Sequence, residues 1–390
     1  MSALRFDGWV PFRLYWQESE PGVEWLYMGS HPFGDPFFET TIYFEIQTPF
    51  NSLIRFRTPL AALAEWHAAS PGLEPAGFIF HLSRSGSTLI TRMLAALPRN
   101  LVLSEPGVLD RMLRSHERAP QASVEQRADW VRWLVSALGQ PRTGLEQCLF
   151  IKFDPRNVLD FPLLRLAFPH VPWIFVYRDP VEVMVSNARS SARFLAKGMM
   201  GPDLPGLEPR LVEDMDDQEY SARVLGMVAQ TAARYIESAQ GMPVEYRQLP
   251  AIVWGDLARH FGIQLTAEEI ERLQQAAAFD AKEPNRRFES DTAAKNREAT
   301  EPMRRMAGEW IAPHYRKLEE LRRARSGGFP AFRGWLLDNP QLFDRLRGLD
   351  RESFLQTALQ AASQAGIALE RGDLESAIAE ARAELARRLV

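Results

Sequence analysis

From Gly77 onward the sequence alternates short apolar runs with stretches of helical periodicity, and this alternation dictates a parallel sheet with helices on both faces. Residues 77–82 (GFIFHL), 101–103, 149–153, 171–177 and 243–246 read as strands. After the first, Leu89, Ile90, Met93, Leu94 and Leu97 share one helical face. A helix is expected over 160–167, and Asp179-Pro180 reads as an N-cap followed by proline at the first helical position, opening a helix over 181–195. Helices over 218–239, 249–261 and 266–277 complete the α/β pattern.

The flanks read differently. Residues 1–72 are dense in aromatics and broken by Pro and Gly, with period-two stretches at Trp25–Met28 and Thr41–Ile46 that predict short strands and a β-rich N-terminal attachment. A short helix over 59–69 and the Ser70-Pro71-Gly72 break precede the core. Residues 198–209 read as a loop or lid, and 281–301, highly charged and aromatic-poor, as a mobile loop or capping segment. The tail is helical from about 351, with Asp373 as an expected N-cap. Three regions result: 1–72, an α/β domain over 73–325, and a helical C-terminal extension over 326–390.

Candidate chemistry sits where open α/β sheets bind ligands, at the carboxyl ends of strands. Between the first strand and its helix lies Ser83-Arg84-Ser85-Gly86-Ser87-Thr88. A glycine turn feeding a helix N-terminus aims backbone amides at an anion, while Arg84 and the hydroxyls of Ser85, Ser87 and Thr88 add donors. Glu105 ends the second strand, Lys152 the third, and Arg178 the fourth. Crowding three cations and a carboxylate at one rim is costly unless they pair or meet an anionic ligand. Ser186, eight residues after Arg178, is placed to reach a second phosphate with it. A Walker loop would need glycine at 81 and lysine at 87, where this chain has His81 and Ser87.

These residues resemble the sulfotransferases that use 3'-phosphoadenosine 5'-phosphosulfate (PAPS). Residues 83–88 look like their 5'-phosphosulfate loop, and Val176 through Ser186 like their 3'-phosphate site. Ile151-Lys152 with Pro155-Arg156, and Tyr246-Arg247-Gln248-Leu249, resemble two further segments, so the likeness covers roughly 77–280. Ser83 and Ser87 depart from the usual loop, and the Arg-Lys-Gly loop that closes over the nucleotide is absent; basic residues of 282–305 such as Arg286, Arg287, Lys295 and Arg297 are the candidates to replace it.

The resemblance implies a P-loop-like three-layer fold and sulfuryl transfer from PAPS to an acceptor hydroxyl, leaving 3',5'-diphosphoadenosine without a required metal. Arg84 with Ser85, Gly86, Ser87 and Thr88 would hold the 5' end, Arg178 and Ser186 the 3'-phosphate, and Tyr246 would contact adenine. Glu105, with the spacing from Arg84 that marks the base in the tyrosylprotein branch, would take the acceptor proton beside Arg84 and Lys152. His116 is the candidate if the base is a histidine, as in the phenol branch. His81, by contrast, reads as a partly buried histidine bonded to backbone, and the early aromatic stripe as core.

Composition bounds the alternatives. A net charge of -4 excludes binding nucleic acid by bulk electrostatics. One cysteine, Cys148, excludes an internal disulfide framework, and no two histidines are spaced as a compact zinc motif. No apolar run is long enough to span a membrane, and residues 1–8 lack a signal-peptide core, so a cytoplasmic protein is expected. A magnesium-dependent kinase or hydrolase with a degenerate loop, or a non-catalytic binding module, are the competing readings. Peptide tyrosine, sugar, lipid and small natural product all stand as acceptors.

Overall fold

A computed structural model of the 390-residue chain describes residues 6–17, 20–189, 192–200, 207–239, 241–279, 292–325, 328–365, 367 and 369–388. It divides into a unit over 1–315 and a second over 316–390.

The first unit holds two sheets. Strands β1 (Trp9–Gln17), β2 (Glu20–Tyr27) and β3 (Phe56–Pro59) form an antiparallel sheet. Its core is aromatic, with Phe6 stacked on Trp25 at 4.4 Å and Trp66 tilted against Trp25 at 5.5 Å. The Trp25 indole also donates to Thr58 Oγ1 at 2.9 Å, so the side chain is satisfied as well as buried. Thr41–Ile46, expected as a strand, lies in the helix Phe38–Ile46. Phe38, Thr41 and Ile42 are buried, and that i, i+3, i+4 spacing is a helical stripe which outweighs the local period of two.

The second sheet is fully parallel. It contains β4 (Pro75–His81), β5 (Asn100–Ser104), β6 (Cys148–Lys152), β7 (Trp173–Tyr177) and β8 (Met242–Glu245), in the order β5-β6-β4-β7-β8. The strands match those expected to within two residues. They are apolar throughout because helices cover both faces, as parallel sheets require. On one face Ile79, Ile174 and Val176 pack with Ile90, Met93 and Leu94 of the helix Ser87–Ala95. The expected N-cap at Asp179 is present: its Oδ1 accepts from Val181 N and Glu182 N, starting the helix Pro180–Arg189.

Four other local expectations change, the first being the helix expected over 181–195, which is helical over Pro180–Arg189 with a separate 3-10 turn at Arg193–Leu195. Residues 249–261 break at Gly255 into a 3-10 turn, Ala251–Trp254, and a helix, Asp256–His260. Within 281–301, residues 292–298 are helical, while 281–291, including Arg286 and Arg287, lie outside the described residues, as do 201–206 of the expected lid. In the second unit Asp373 sits inside its helix, Arg371–Arg388, and its carboxylate reaches back to accept from Glu370 N. Residues 316–325 of that unit are helical, as are Phe329–Leu337 and Pro340–Arg347 ahead of 351, with Phe332, Leu346, Leu355, Ala358 and Leu374 forming its core. Among the described residues no helix is long and apolar enough to cross a membrane.

Candidate active site

Every strand of the parallel sheet delivers a group to its carboxyl rim. Strand β4 runs into the 83–88 loop, β5 into Glu105, β6 ends on Lys152, β7 leads to Arg178 and β8 to Tyr246. Parallel pairing brings these ends level, since Leu103 registers with Ile151 and Phe80 with Phe175.

The loop is held under backbone strain. Ser83 (φ 62°), Arg84 (φ 49°) and Glu105 (φ 54°) all occupy the left-handed region, where a side chain costs roughly 1–3 kcal/mol. Gly86 (φ 88°) caps the helix Ser87–Ala95. Loop side chains anchor it: Ser85 Oγ donates to Val176 O at 2.8 Å, and Ser83 Oγ lies 3.3 Å from Asn187 Oδ1. With its hydroxyl committed to β7, Ser85 can offer an anion only its amide. A Cβ on Gly86 would lie 2.7 Å from Leu249 Cδ1 and 2.8 Å from Tyr246 Cδ2. Gly86→Ala is therefore expected to destabilise the protein by about 1–3 kcal/mol and weaken nucleotide binding, read from melting with and without 3',5'-diphosphoadenosine.

One cluster lies on the β5–β6 side of the loop. Lys152 is fully buried, and its Nζ sits 2.9 Å from Glu105 Oε1, 3.3 Å from Thr88 Oγ1 and 4.7 Å from the Phe37 ring centre. His81 accepts from Ser83 N at Nδ1, so its neutral ring carries the proton on Nε2, 3.2 Å from the same Glu105 oxygen. The backbone-bonded histidine expected at 81 is thus present and also touches Glu105. Burial lowers the His81 pKa, against an upward pull from Glu105. For Glu105, burial pushes the pKa up, but Lys152 and His81 together win and hold it at about 2. Burial likewise depresses Arg84, opposed by Glu105. His116 is exposed and faces Arg127 at 3.3 Å; the imidazole that meets Glu105 is His81.

A second cluster lies on the β7–β8 side. Arg178 is buried; its Nε donates to Glu182 Oε2 at 2.6 Å, and its guanidinium lies 3.8 Å over the Tyr246 ring. Ser186 stands one helical turn beyond Glu182 and is half-buried. Tyr246 thus contacts both the loop at Gly86 and the guanidinium of Arg178, so the two clusters meet through one ring.

Arg84, Lys152 and Arg178 thus follow or end three strands at the carboxyl rim of one sheet. Residues 75–267 match the model of the sulfotransferase family. The α/β core is a sulfotransferase-family domain. Among solved structures, the chain is similar to sulfotransferase STF9 from Mycobacterium avium, at 13% identity over 64% of this chain and 80% of that one, with a TM-score of 0.42. It is also similar to the sulfotransferase domain of the Synechococcus PCC 7002 olefin synthase, at 18% identity over 61% and 94% of the two chains and a TM-score of 0.37. A sulfotransferase from Alicyclobacillus acidocaldarius gives 15% identity over 64% and 96%, with a TM-score of 0.37. No curated protein matches.

Two participants had no clear sequence signal. Phe37 comes from the attachment before the core and reaches Lys152 only through tertiary packing. Glu182 lies in the first turn of its helix, and its pairing with Arg178 depends on how the strand enters the helix. Among the described residues no group of three or more His, Cys, Asp or Glu could hold a metal ion.

Proposed function

We propose that this protein transfers a sulfuryl group from PAPS to an acceptor hydroxyl, with Glu105 as the base. The observation that carries this reading is the Tyr246 ring packed against both Gly86 and Arg178, which ties two cationic anion-binding places to one rim. A doubly phosphorylated adenosine fits such a pair. The 5' end would be held by Arg84, the amides from Ser85 to Thr88 and the Thr88 hydroxyl, and the 3'-phosphate by Arg178 and Ser186. Tyr246 would contact adenine and also position the Arg178 guanidinium on which it stacks.

The bound donor supplies the sulfuryl group, which passes in line through a loose transition state with charge spread over its equatorial oxygens. Catalysis then rests on preorganised donors, each worth about 3 kcal/mol by the cost of removing an oxyanion donor. Lys152 and Thr88, 3.3 Å apart, would supply two such donors. Both Lys152 and His81 occupy Glu105 Oε1, which leaves Oε2 to take the acceptor proton. At a pKa of about 2 the carboxylate is always ionised but is a weak base. An anion beside Thr88 competes for Lys152, and loosening that ion pair strengthens the base when the donor is in place.

Melting with and without ligand tests the reading. 3',5'-Diphosphoadenosine at a hundred times its Kd is expected to add about 2.7 kcal/mol of stability. Labelled sulfate from PAPS should also appear on a hydroxyl acceptor. A response only to ATP with magnesium overturns the proposal.

A further inference from the structure

The attachment that precedes the family-matched core builds one wall of a cavity of about 610 Å³. Phe33 and Pro36 line it together with Thr88 of the loop helix and with Leu101, Val102 and Ser104 of the edge strand β5. Thr88 contacts Lys152, and Ser104 directly precedes Glu105, so the cavity reaches the immediate neighbours of the proposed reacting groups. The sheet order places this cavity and Glu105 on one side of β4, and Arg178 with Tyr246 on the other. In-line transfer needs that division, with acceptor and donor on opposite sides of the moving group.

The lining also selects for chemistry. Several of its polar side chains already have protein partners: Thr91 donates to Thr88 O, Asn100 to Leu94 O, Asp35 accepts from Thr41, and Glu146 accepts from Thr143 N, while Arg92 and Ser104 also line it. The rest of the wall is dominated by Pro, Phe, Ala, Leu and Val. A sugar or peptide entering there would strand hydroxyls or amides against apolar carbon, at roughly 1–3 kcal/mol each. The volume lies within the range of about 300–1,000 Å³ that small-molecule sites occupy.

We infer that this cavity is the acceptor site and that it takes a small alcohol or phenol with a largely apolar body, the attachment supplying the specificity. The inference rests on the donor-binding reading above. Gly34 lines the cavity with nothing within 4 Å of where a Cβ would stand, and Ala95 lines it from the end of the loop helix; both are exposed, so Gly34→Trp and Ala95→Trp are chosen to narrow its mouth away from the rim. The full-length chain is assayed with PAPS against naphthol, a medium-chain primary alcohol, a tyrosine peptide and a monosaccharide, with melting in 3',5'-diphosphoadenosine measured in parallel. Expected are turnover of naphthol or the alkyl alcohol, a KM raised on the order of tenfold or more in both variants, and an unchanged nucleotide shift. Turnover of the peptide or sugar alone, or variants that leave KM for the apolar alcohols unchanged, overturns the acceptor assignment while the nucleotide shift persists. Loss of the nucleotide shift in the unmodified protein instead overturns the donor reading, and this inference with it.

Discussion

Glu105→Gln is expected to lower turnover by about a thousandfold, the middle of the range for a positioned general base, with 3',5'-diphosphoadenosine binding nearly unchanged. Glutamine keeps the shape, and its amide oxygen can still accept from Lys152 and His81, the two groups now on Oε1. It cannot take a proton. The substitution also leaves buried Lys152 without its charge partner, so some stability is lost. Single-turnover rates at a temperature well below melting separate the two effects. Retained turnover would leave Glu105 an ion-pairing role only.

Lys152→Met is expected to cost turnover about a hundred- to a thousandfold and to reverse the pH dependence contributed by Glu105. In the unmodified protein the folded pKa, about 2, lies below the ordinary 4.5. Glu105 therefore contributes stability that is present above about pH 4.5 and is lost as pH falls toward 2. Without the ammonium, burial, already the largest single influence, is opposed only by His81, and the carboxyl is expected to rise above its ordinary value. The contribution then changes sign: stability falls as pH rises through and above 4.5. Each pKa unit is worth about 1.36 kcal/mol, so denaturant melts across that window report the change. Asp160, raised to about 7 chiefly by burial, is common to the two proteins and cancels in the comparison, whereas Asp154, also raised to about 7 chiefly by burial, feels the Glu105 charge and follows its titration. Parallel stability curves for the two proteins would contradict the assigned electrostatics.

Much of this rim was legible because its signals are local. Apolar runs bounded by polar residues set the strands of the parallel sheet, and in such a sheet the residue after each strand must arrive at one edge. Arg84, Glu105, Lys152 and Arg178 could thus be placed together from position along the chain, while Tyr246 was singled out by the family resemblance. The glycine at 86 could be read from the strand-to-helix turn it permits. What depends on tertiary packing was not legible. Phe37 meets Lys152 only because the antiparallel sheet folds back against the core, with Glu39 accepting from Gly107 N. Thr41–Ile46 alternates like a strand over six residues, and only the burial of Phe38 beside it reveals the helical stripe. The lowered pKa of Glu105 likewise follows from two partners on one oxygen, a contact that residue spacing does not encode.

Two anion grips on one rim are the center of this account, and a ligand-by-variant cycle addresses them most directly. Kd is measured for 3',5'-diphosphoadenosine and for adenosine 5'-phosphate, in the unmodified protein and in Arg178→Ala, with Arg178→Ala/Glu182→Gln as the control for the carboxylate left buried. The unmodified protein should prefer the doubly phosphorylated ligand by on the order of a hundredfold, as expected for a charge-assisted pair worth about 1.5–3 kcal/mol or more, and both variants should bind the two ligands alike. Equal binding of the two by the unmodified protein, or a preference that survives the loss of Arg178, would contradict it.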